Sequence, residues 1–507
     1  MVLKAIQFVW FILFACALAA CGDQQITVSK DGSESDSPPL GPTCRPDSDV
    51  RPGQPKPYCG DLPSLAAVNV RNVVLDEVIR GLKYPWAFEF VNRNEVLITE
   101  FNGTMSRINT LTGKKQKISG LPEFKLGSSQ RGLLDVALHP NFDENGLIYF
   151  SYAKHNDKDF HALAIIRAKL TGKQLEDVRE LVVADPYIKP GSNFGGALVF
   201  DGTERLLIAV GDRSKRNQAQ NPKSLLGKIL RLNDDGSIPN DNPFLNEEDG
   251  IRDEIYAFGV RNPQGLVYDA TTDQIYEAEH GPMGGDEVNV IKAGRNYGWP
   301  EITYGMNYTF KKIGVGTTAP GLEQPLFYYL PSRAVSPISI YRGTMFPDWN
   351  GDLLVGALKA QTISKIDIVD GRALSETPIL AEINGRIRDI KTADDGSVWI
   401  LSQKGSLFRL YKPEGVDQTT LTGIAGMRSG TQVYNTVCSS CHSQNAPGVP
   451  NIDDPDAWTD RLSKGKNALY TNTINGIGSM PSKGYCEDCT DAELKAAVDY
   501  MIERLNR

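Results

Sequence analysis

The residues best equipped for chemistry lie near the end of the chain, in VCSSCHSQ at 437–444. Cys438 and Cys441 are two thiols three residues apart, and His442 follows at once. This is the attachment pattern of a c-type haem, with thiols for the covalent bonds and an imidazole for the iron. A sixth ligand has to come from downstream, where only Met480 and Met501 remain. Met480 sits in the Gly/Pro loop GIGSMPSKG, from which a thioether can reach iron and raise its potential. Met501 falls on the apolar positions of DAELKAAVDYMIERL and reads as core. A haem moves electrons singly, so the rest of the chain must supply or consume them.

The elements around this site are mostly β. The chain has 507 residues, with 48 Gly, 30 Pro and few long helical patterns, which suits two or three domains of turn-rich structure. With 54 basic against 62 acidic residues the formal charge is -8, which argues against nucleic acid as a partner. Six loosely similar units begin at Trp86, Gly132, Gly195, Gln264, Ile338 and Ile387. Each is a short apolar strand, a polar turn, a second strand and a third ending near Gly, with period-two alternation. Six such units predict a mainly β fold, a six-bladed β-propeller, whereas a pair of β-sandwiches would not explain the repetition. The last helical segment, with Asp491 and Glu493 near its start, predicts a small all-α cytochrome c domain after the propeller. The expected boundaries are 1–20 signal peptide, 21–65 tether rich in Pro and Ser, 66–412 propeller, 413–426 linker and 427–507 cytochrome c domain. The cytochrome region resembles the short bacterial class I cytochromes c, which also carry a late Cys-x-x-Cys such as Cys486 and Cys489.

The first 21 residues, MVLKAIQFVWFILFACALAAC, hold Lys4 and an apolar run too short to span a membrane comfortably. The ending Leu18-Ala19-Ala20-Cys21 resembles the lipobox of bacterial lipoproteins, which implies lipidation of Cys21; an ordinary cleaved signal or an uncleaved anchor are the alternatives. The expected location is therefore the periplasmic side of a bacterial membrane, with a lipid anchor, and Gly22 favours the outer membrane by the same resemblance. Cys44 and Cys59 would pair in that oxidising compartment. Cys486 and Cys489 read as a local disulfide before a metal site.

Between about 80 and 410 the segments RGLLDVALHPNF, AVGDRSKRNQAQN, LGKILRLNDDGSIPNDNPF, GVRNPQGLVYD, EHGPMGGDEVNVIKAGRNYGWP and GRIRDI occur together. In them the chain resembles the glucose/sorbosone dehydrogenase family, soluble aldose dehydrogenases that use pyrroloquinoline quinone (PQQ). The resemblance implies that Gln130, Arg261, Asn262, Lys359, Arg386 and Arg388 contact PQQ. A planar tricarboxylate calls for several fixed cations, Arg above all. It also implies calcium at the carbonyls of Gly281 and Pro282, where it would polarise the quinone, and a second, structural calcium at Asp286, Glu287 and Tyr297. Two other motifs stay unassigned: NDDG at 233–236 reads as a β-turn, and GVGTTA at 314–319 lacks the βαβ context of a dinucleotide fingerprint.

The pattern breaks at one place. The family's general-base His falls in a segment that here reads SNFGGALVF, so Asn193 stands at that position, and an Arg usual a few residues on is Ala197. A neutral amide cannot take a proton. Asp212, which matches the Asp supporting that His, is present and is one candidate for the base; His155 and His161 in KHNDKDFH are others. His139 reads as structural, and His280 as orienting the carbonyls that follow it. The leading expectation is a membrane-anchored quinoprotein dehydrogenase. It would oxidise a sugar, or a related alcohol or aldehyde, and pass electrons through its own haem to a downstream acceptor. The alternative is a non-catalytic propeller that binds a ligand and carries an electron-transfer domain.

Overall fold

The computed structural model describes residues 73–505, apart from 125–129, 190–191, 248–249, 381–382, 384, 413–429, 444–447 and 487–488. Cys21, the expected signal and tether, the Cys44/Cys59 pair and the 413–426 linker lie outside the described residues.

Strands from Val74 to Tyr411 form six antiparallel sheets of four strands each. The first strands of the blades are Pro85–Asn92, Leu133–Leu138, Gly195–Phe200, Pro263–Asp269, Val335–Ile340 and Ile387–Thr392. Each touches the next, and the last touches the first, so the blades close into one ring. The six sequence units are these six blades. Closure is made by the other end of the chain: Val74–Ile79 is the fourth strand of blade 6, with Val74 opposite Tyr411 and Ile79 opposite Leu407.

Middle strands such as Leu206–Val210, Leu353–Ala357 and Val398–Ser402 are buried along their whole length, because neighbouring blades cover both faces. Outer strands are wet; all three residues of Lys115–Lys117 are exposed. Polar side chains stitch one blade to the next near the axis. The Asp135 carboxylate in blade 2 accepts from the Leu198 N–H in blade 3 at 2.8 Å. The Asp389 carboxylate in blade 6 accepts from the Phe88 N–H in blade 1 at 2.9 Å.

The C-terminal region is helical, from Gly430 through His442 and ending in the helix Asp491–Leu505. First and last helices meet so closely that a Cβ on Gly430 would lie 2.0 Å from the Ala496 carbonyl oxygen. The last helix opens with a capping box: the Glu493 carboxylate accepts from the Thr490 N–H, and Thr490 Oγ1 accepts from the Glu493 N–H. Met501 is buried with Tyr434, Ile452, Trp458 and Leu505, in the core role its spacing predicted. Cys486 and Cys489 form a disulfide. Among the described residues no helix is long and apolar enough to cross a membrane.

Candidate functional site

One end of the propeller axis opens into a cavity of about 930 Å3. Its wall follows from blade geometry, since the turn into each first strand points there. These turns bring Trp86, Gln130, Asn193, Arg261, Asn262 and Arg388 to one space from five different blades. The turns between second and third strands add Phe101, Ser214, the Gly281-Pro282 corner, Lys359 and Gln403. At that corner the backbone doubles back: a Cβ on Gly281 would lie 2.2 Å from the Gly284 carbonyl, and Gly285 adopts φ +67.

The electrostatics are one-sided. Arg261, Lys359, Arg386 and Arg388 all line the cavity, and no Asp or Glu is among its lining residues. Arg388 lies 4.1 Å over the Trp86 ring and donates from Nε to Gln403 at 3.1 Å, while its buried Nη1 has no partner. Burial, and then the neighbouring Arg386 charge, hold its pKa down to about 9. Arg386 is also pulled downward by burial. A buried cation without a counter-charge is costly, so this wall is prepared for an anionic ligand. Arg261 is engaged differently: its Nη1 donates to the carbonyls of His280 at 2.6 Å and Gly281 at 3.0 Å.

Asn193 lies on the same wall in the left-handed backbone region, φ 60, and is buried. Its Nδ2 donates to Asp212 Oδ1 at 2.9 Å. Asp212 accepts two more bonds, from the Ser214 N–H at 2.8 Å and from Trp299 Nε1 at 2.8 Å. With one N–H of its NH2 on Asp212, Asn193 keeps Oδ1 as an acceptor and its second N–H as a donor. Asp212, one of the candidates for the base, stands behind Asn193, 1% exposed, with three donors on its carboxylate and outside the cavity wall.

In the helical domain His442 is buried against Trp458, and its Nδ1 sits 2.9 Å from the Pro450 carbonyl. That contact fixes Nδ1 as the donor and leaves Nε2 for a metal. Burial pushes the His442 pKa down, toward the neutral ring that a ligand must be. Cys438 and Cys441 stand outside any disulfide, on the same helical turn. Met480 closes a tight turn in which its N–H and C=O bond the C=O and N–H of Ile477, both at 2.9 Å.

Comparison with known proteins fits these two sites. Residues 82–409 match the family described as Glucose / Sorbosone dehydrogenase, and residues 425–501 match Cytochrome C oxidase, cbb3-type, subunit III. The chain belongs to the glucose/sorbosone dehydrogenase family. It is 38% identical over 346 residues to the aldose sugar dehydrogenase YliI of Escherichia coli, covering 67% of this chain and 91% of that one. The crystal structure of the E. coli soluble aldose sugar dehydrogenase superposes with a TM-score of 0.65 at 36% identity, over 67% of this chain and 100% of that one. Quinoprotein glucose dehydrogenase B of Acinetobacter calcoaceticus is 28% identical over 403 residues, 63% of this chain and 83% of that protein. The tail is 38% identical over 78 residues to cytochrome c5 of Azotobacter vinelandii, 15% of this chain and 94% of that one. This is a sugar dehydrogenase propeller fused to a cytochrome c domain.

Within this glucose/sorbosone dehydrogenase fold, the expected calcium residues divide. The carbonyls of His280 and Gly281 converge on a cation, but here that cation is the Arg261 guanidinium. Asp286 is committed elsewhere, accepting from the N–H groups of Gly281 and Ala334 and from Ser332 Oγ, so it clamps the turn. The Tyr297 hydroxyl is also committed, to the Val290 carbonyl and the Lys292 N–H. Glu287 instead lies directly opposite Glu279 across two strands, and both line a polar void of about 10 Å3. Burial pushes both upward, Glu279 to about 7. Among the described residues no group of three or more His, Cys, Asp or Glu is arranged to hold a metal. Glu279 escaped sequence reasoning because its partner lies eight positions away across a turn, where only strand register reveals it.

The remaining histidines stay out of the cavity except one. His139 is fixed by the Asn141 N–H at 3.0 Å, a structural role. His155 and His161, the other candidates for the base, face each other across a hairpin and are not among the residues that line the cavity. His280 does line it, with burial and then Arg261 forcing its pKa to about 3. Trp86 and Trp299, which support Arg388 and Asp212, were hidden inside repeat and motif strings that gave them no separate signal.

Proposed function

We propose that the propeller is a PQQ-dependent dehydrogenase for a sugar, or a related alcohol or aldehyde, and that it passes electrons to its own haem c. The observation that carries this is the cavity wall, four cations with no acidic residue among them. A planar tricarboxylate suits that wall, with Arg386, Arg388 and Lys359 toward its carboxylates and Gln130 and Asn262 toward its ring oxygens. When bound, PQQ supplies a two-electron quinone acceptor for hydride. Trp86 holds the Arg388 guanidinium in place, and the Gly281 carbonyl that accepts from Arg261 is one of the oxygens that would hold calcium. Calcium at Gly281 and Pro282 would supply a Lewis acid, and a second ion at Glu279 and Glu287 would neutralise two buried acids. Asn193 orients a substrate hydroxyl through Oδ1 without taking its proton, so the proton leaves to solvent. Cys438 and Cys441 would tether the haem, and His442 and Met480 would supply ligands to its iron.

The quinoprotein glucose dehydrogenase relative supports the PQQ assignment, and Leu18–Cys21 supports a lipid anchor at Cys21, on the periplasmic face of a bacterial outer membrane. Asn193 favours one other reading, a propeller that binds without turning over. Titration of PQQ into wild type and into Arg386→Ala and Arg388→Ala separates the site from chance. Tight binding by wild type and a loss of at least 100-fold in the variants supports it, and equal weak binding by all three rejects it.

A further inference from the structure

The protein carries a formal charge of -8, yet the end of the propeller that opens into the cavity is basic. Lys83 precedes Tyr84, Lys215 and Arg216 follow Ser214, and Lys404 follows Gln403. Lys311 and Lys312 share a hairpin with Tyr308, closed by the Met306–Lys312 bridge. All six are exposed and flank lining residues in blades 1, 3, 4 and 6, and Lys359 and Arg386 on the wall itself are exposed too. Among the described residues within four positions of a lining residue, no Asp or Glu is exposed. Carboxylates such as Asp157 and Glu301 stand farther out along the chain. The same loops also expose apolar side chains: Tyr84 and Tyr308 at 66% each, Phe310 at 75% and Val315 at 68%. Exposed aromatics within a charged rim are the make-up of a protein docking face.

The helical domain carries the complement. Asp453, Asp454, Asp456 and Asp460 crowd into DDPDAWTD, and all four are exposed. This loop is built onto the haem segment. The Ile452 N–H donates to the His442 carbonyl at 2.7 Å, and the Trp458 ring lies 5.5 Å from the His442 ring. Trp458 Nε1 donates to the Asn451 carbonyl at 2.8 Å, which fixes the loop's shape. Asp453 pairs with Arg504 at 2.7 Å and Asp454 accepts from the Ala457 N–H at 3.4 Å, whereas Asp456 and Asp460 are in no ion pair among the described residues. Residues 413–429 join the two domains, and a chain of that length spans at most about 60 Å. Such a tether holds the acidic loop at high effective concentration over the basic face, ahead of any free partner. We propose that the cavity end of the propeller is the docking face for the acidic loop of this chain's own cytochrome c domain. Docking there brings the haem segment to the cavity mouth. Reduced PQQ then gives its two electrons singly to ferric haem, the second once the first has moved on, and its two protons to solvent. This inference rests on the dehydrogenase reading and adds the surface through which its electrons leave.

The test reads docking apart from turnover. Full-length, haem-loaded protein without PQQ is treated with a carbodiimide, which joins touching Lys and Asp side chains. A mixture of unlabelled and isotope-labelled chains separates links within a chain from links between chains. The expected result is a within-chain link from Asp456 or Asp460 to Lys83, Lys215 or Lys311 at low salt. It should vanish at about 1 M salt, where charges are screened beyond about 3 Å. With PQQ loaded, Lys83→Glu/Lys311→Glu and Asp456→Lys/Asp460→Lys should each slow haem reduction by sugar about tenfold or more, as like charges brought together do. All four substitutions together should restore the rate to within about threefold, and turnover with a neutral small-molecule acceptor should match wild type throughout. Reversal variants that reduce haem at the wild-type rate overturn the proposal, and so do links that join only labelled to unlabelled chains, which would make a second copy the occupant. Within-chain links in a protein whose haem sugar cannot reduce keep the docking face and reject the dehydrogenase reading.

Discussion

Asn193 sits at φ 60, a backbone position that asparagine tolerates better than most residues, with its amide locked onto Asp212. Asn193→His would place an imidazole against the same carboxylate, the arrangement that tunes a general base. We expect turnover at neutral pH to rise by at least tenfold, with a rate that levels off above the imidazole pKa. Wild type should instead keep rising with pH. An unchanged pH profile would mean that proton removal does not limit the reaction. Arg388 makes the opposite kind of prediction. Its Nη1 is buried without a partner, so Arg388→Met removes a cost in the PQQ-free protein. Its melting temperature should rise, by roughly 2–4 °C per kcal/mol, while PQQ affinity collapses. At the haem, Met480→Ala should abolish the sulfur–iron charge-transfer band and lower the reduction potential, whereas an exposed alanine elsewhere in that loop should do neither.

The blades themselves carry a pH dependence. Near the axis Asp135 is pushed to about 7 by burial and then by Asp389, and Asp389 rises to about 6 mainly through burial. Both lie above the ordinary 3.8, so the folded state holds protons that the unfolded chain releases. This contribution is complete below about pH 4 and is lost as pH rises through 6 to 7. Melting temperature should therefore fall between pH 5 and 8, and Asp135→Asn, which keeps an acceptor for the Leu198 N–H, should flatten that slope. The blades were legible in the sequence because each first strand announces itself by period-two alternation before a polar turn. What local pattern could not give was anything set by register or closure. VLDEVI at 74–79 looks like any strand, and its place in blade 6 comes from pairing with residues more than 300 positions away. The Glu279–Glu287 pair was missed for the same reason, and two of the donors that hold Asp286, Ser332 Oγ and the Ala334 N–H, come from a turn nearly 50 residues on. The cations of the wall, scattered between Arg261 and Arg388, were legible only through the family resemblance, and the Cys-x-x-Cys-His segment because it is contiguous and its residue types are rare.

At the scale of the whole molecule, the chain joins a cavity suited to a two-electron acceptor to a one-electron carrier. That pairing makes sense only if electrons cross from one to the other, so each sugar should reduce two haems, one in its own chain and one reached by exchange. His442→Ala should leave PQQ binding intact, because the cavity lies within the six blades and owes nothing to the helical domain. It should abolish haem reduction and leave turnover measurable only with an added small-molecule acceptor. The most direct measurement is anaerobic haem reduction, followed spectrally, when glucose is mixed with full-length protein reconstituted with PQQ and calcium. Wild type should reduce its haem to completion at half a molar equivalent of sugar, and Arg388→Met should not at that PQQ concentration. A haem that stays oxidised while PQQ is bound and sugar is saturating would contradict the account.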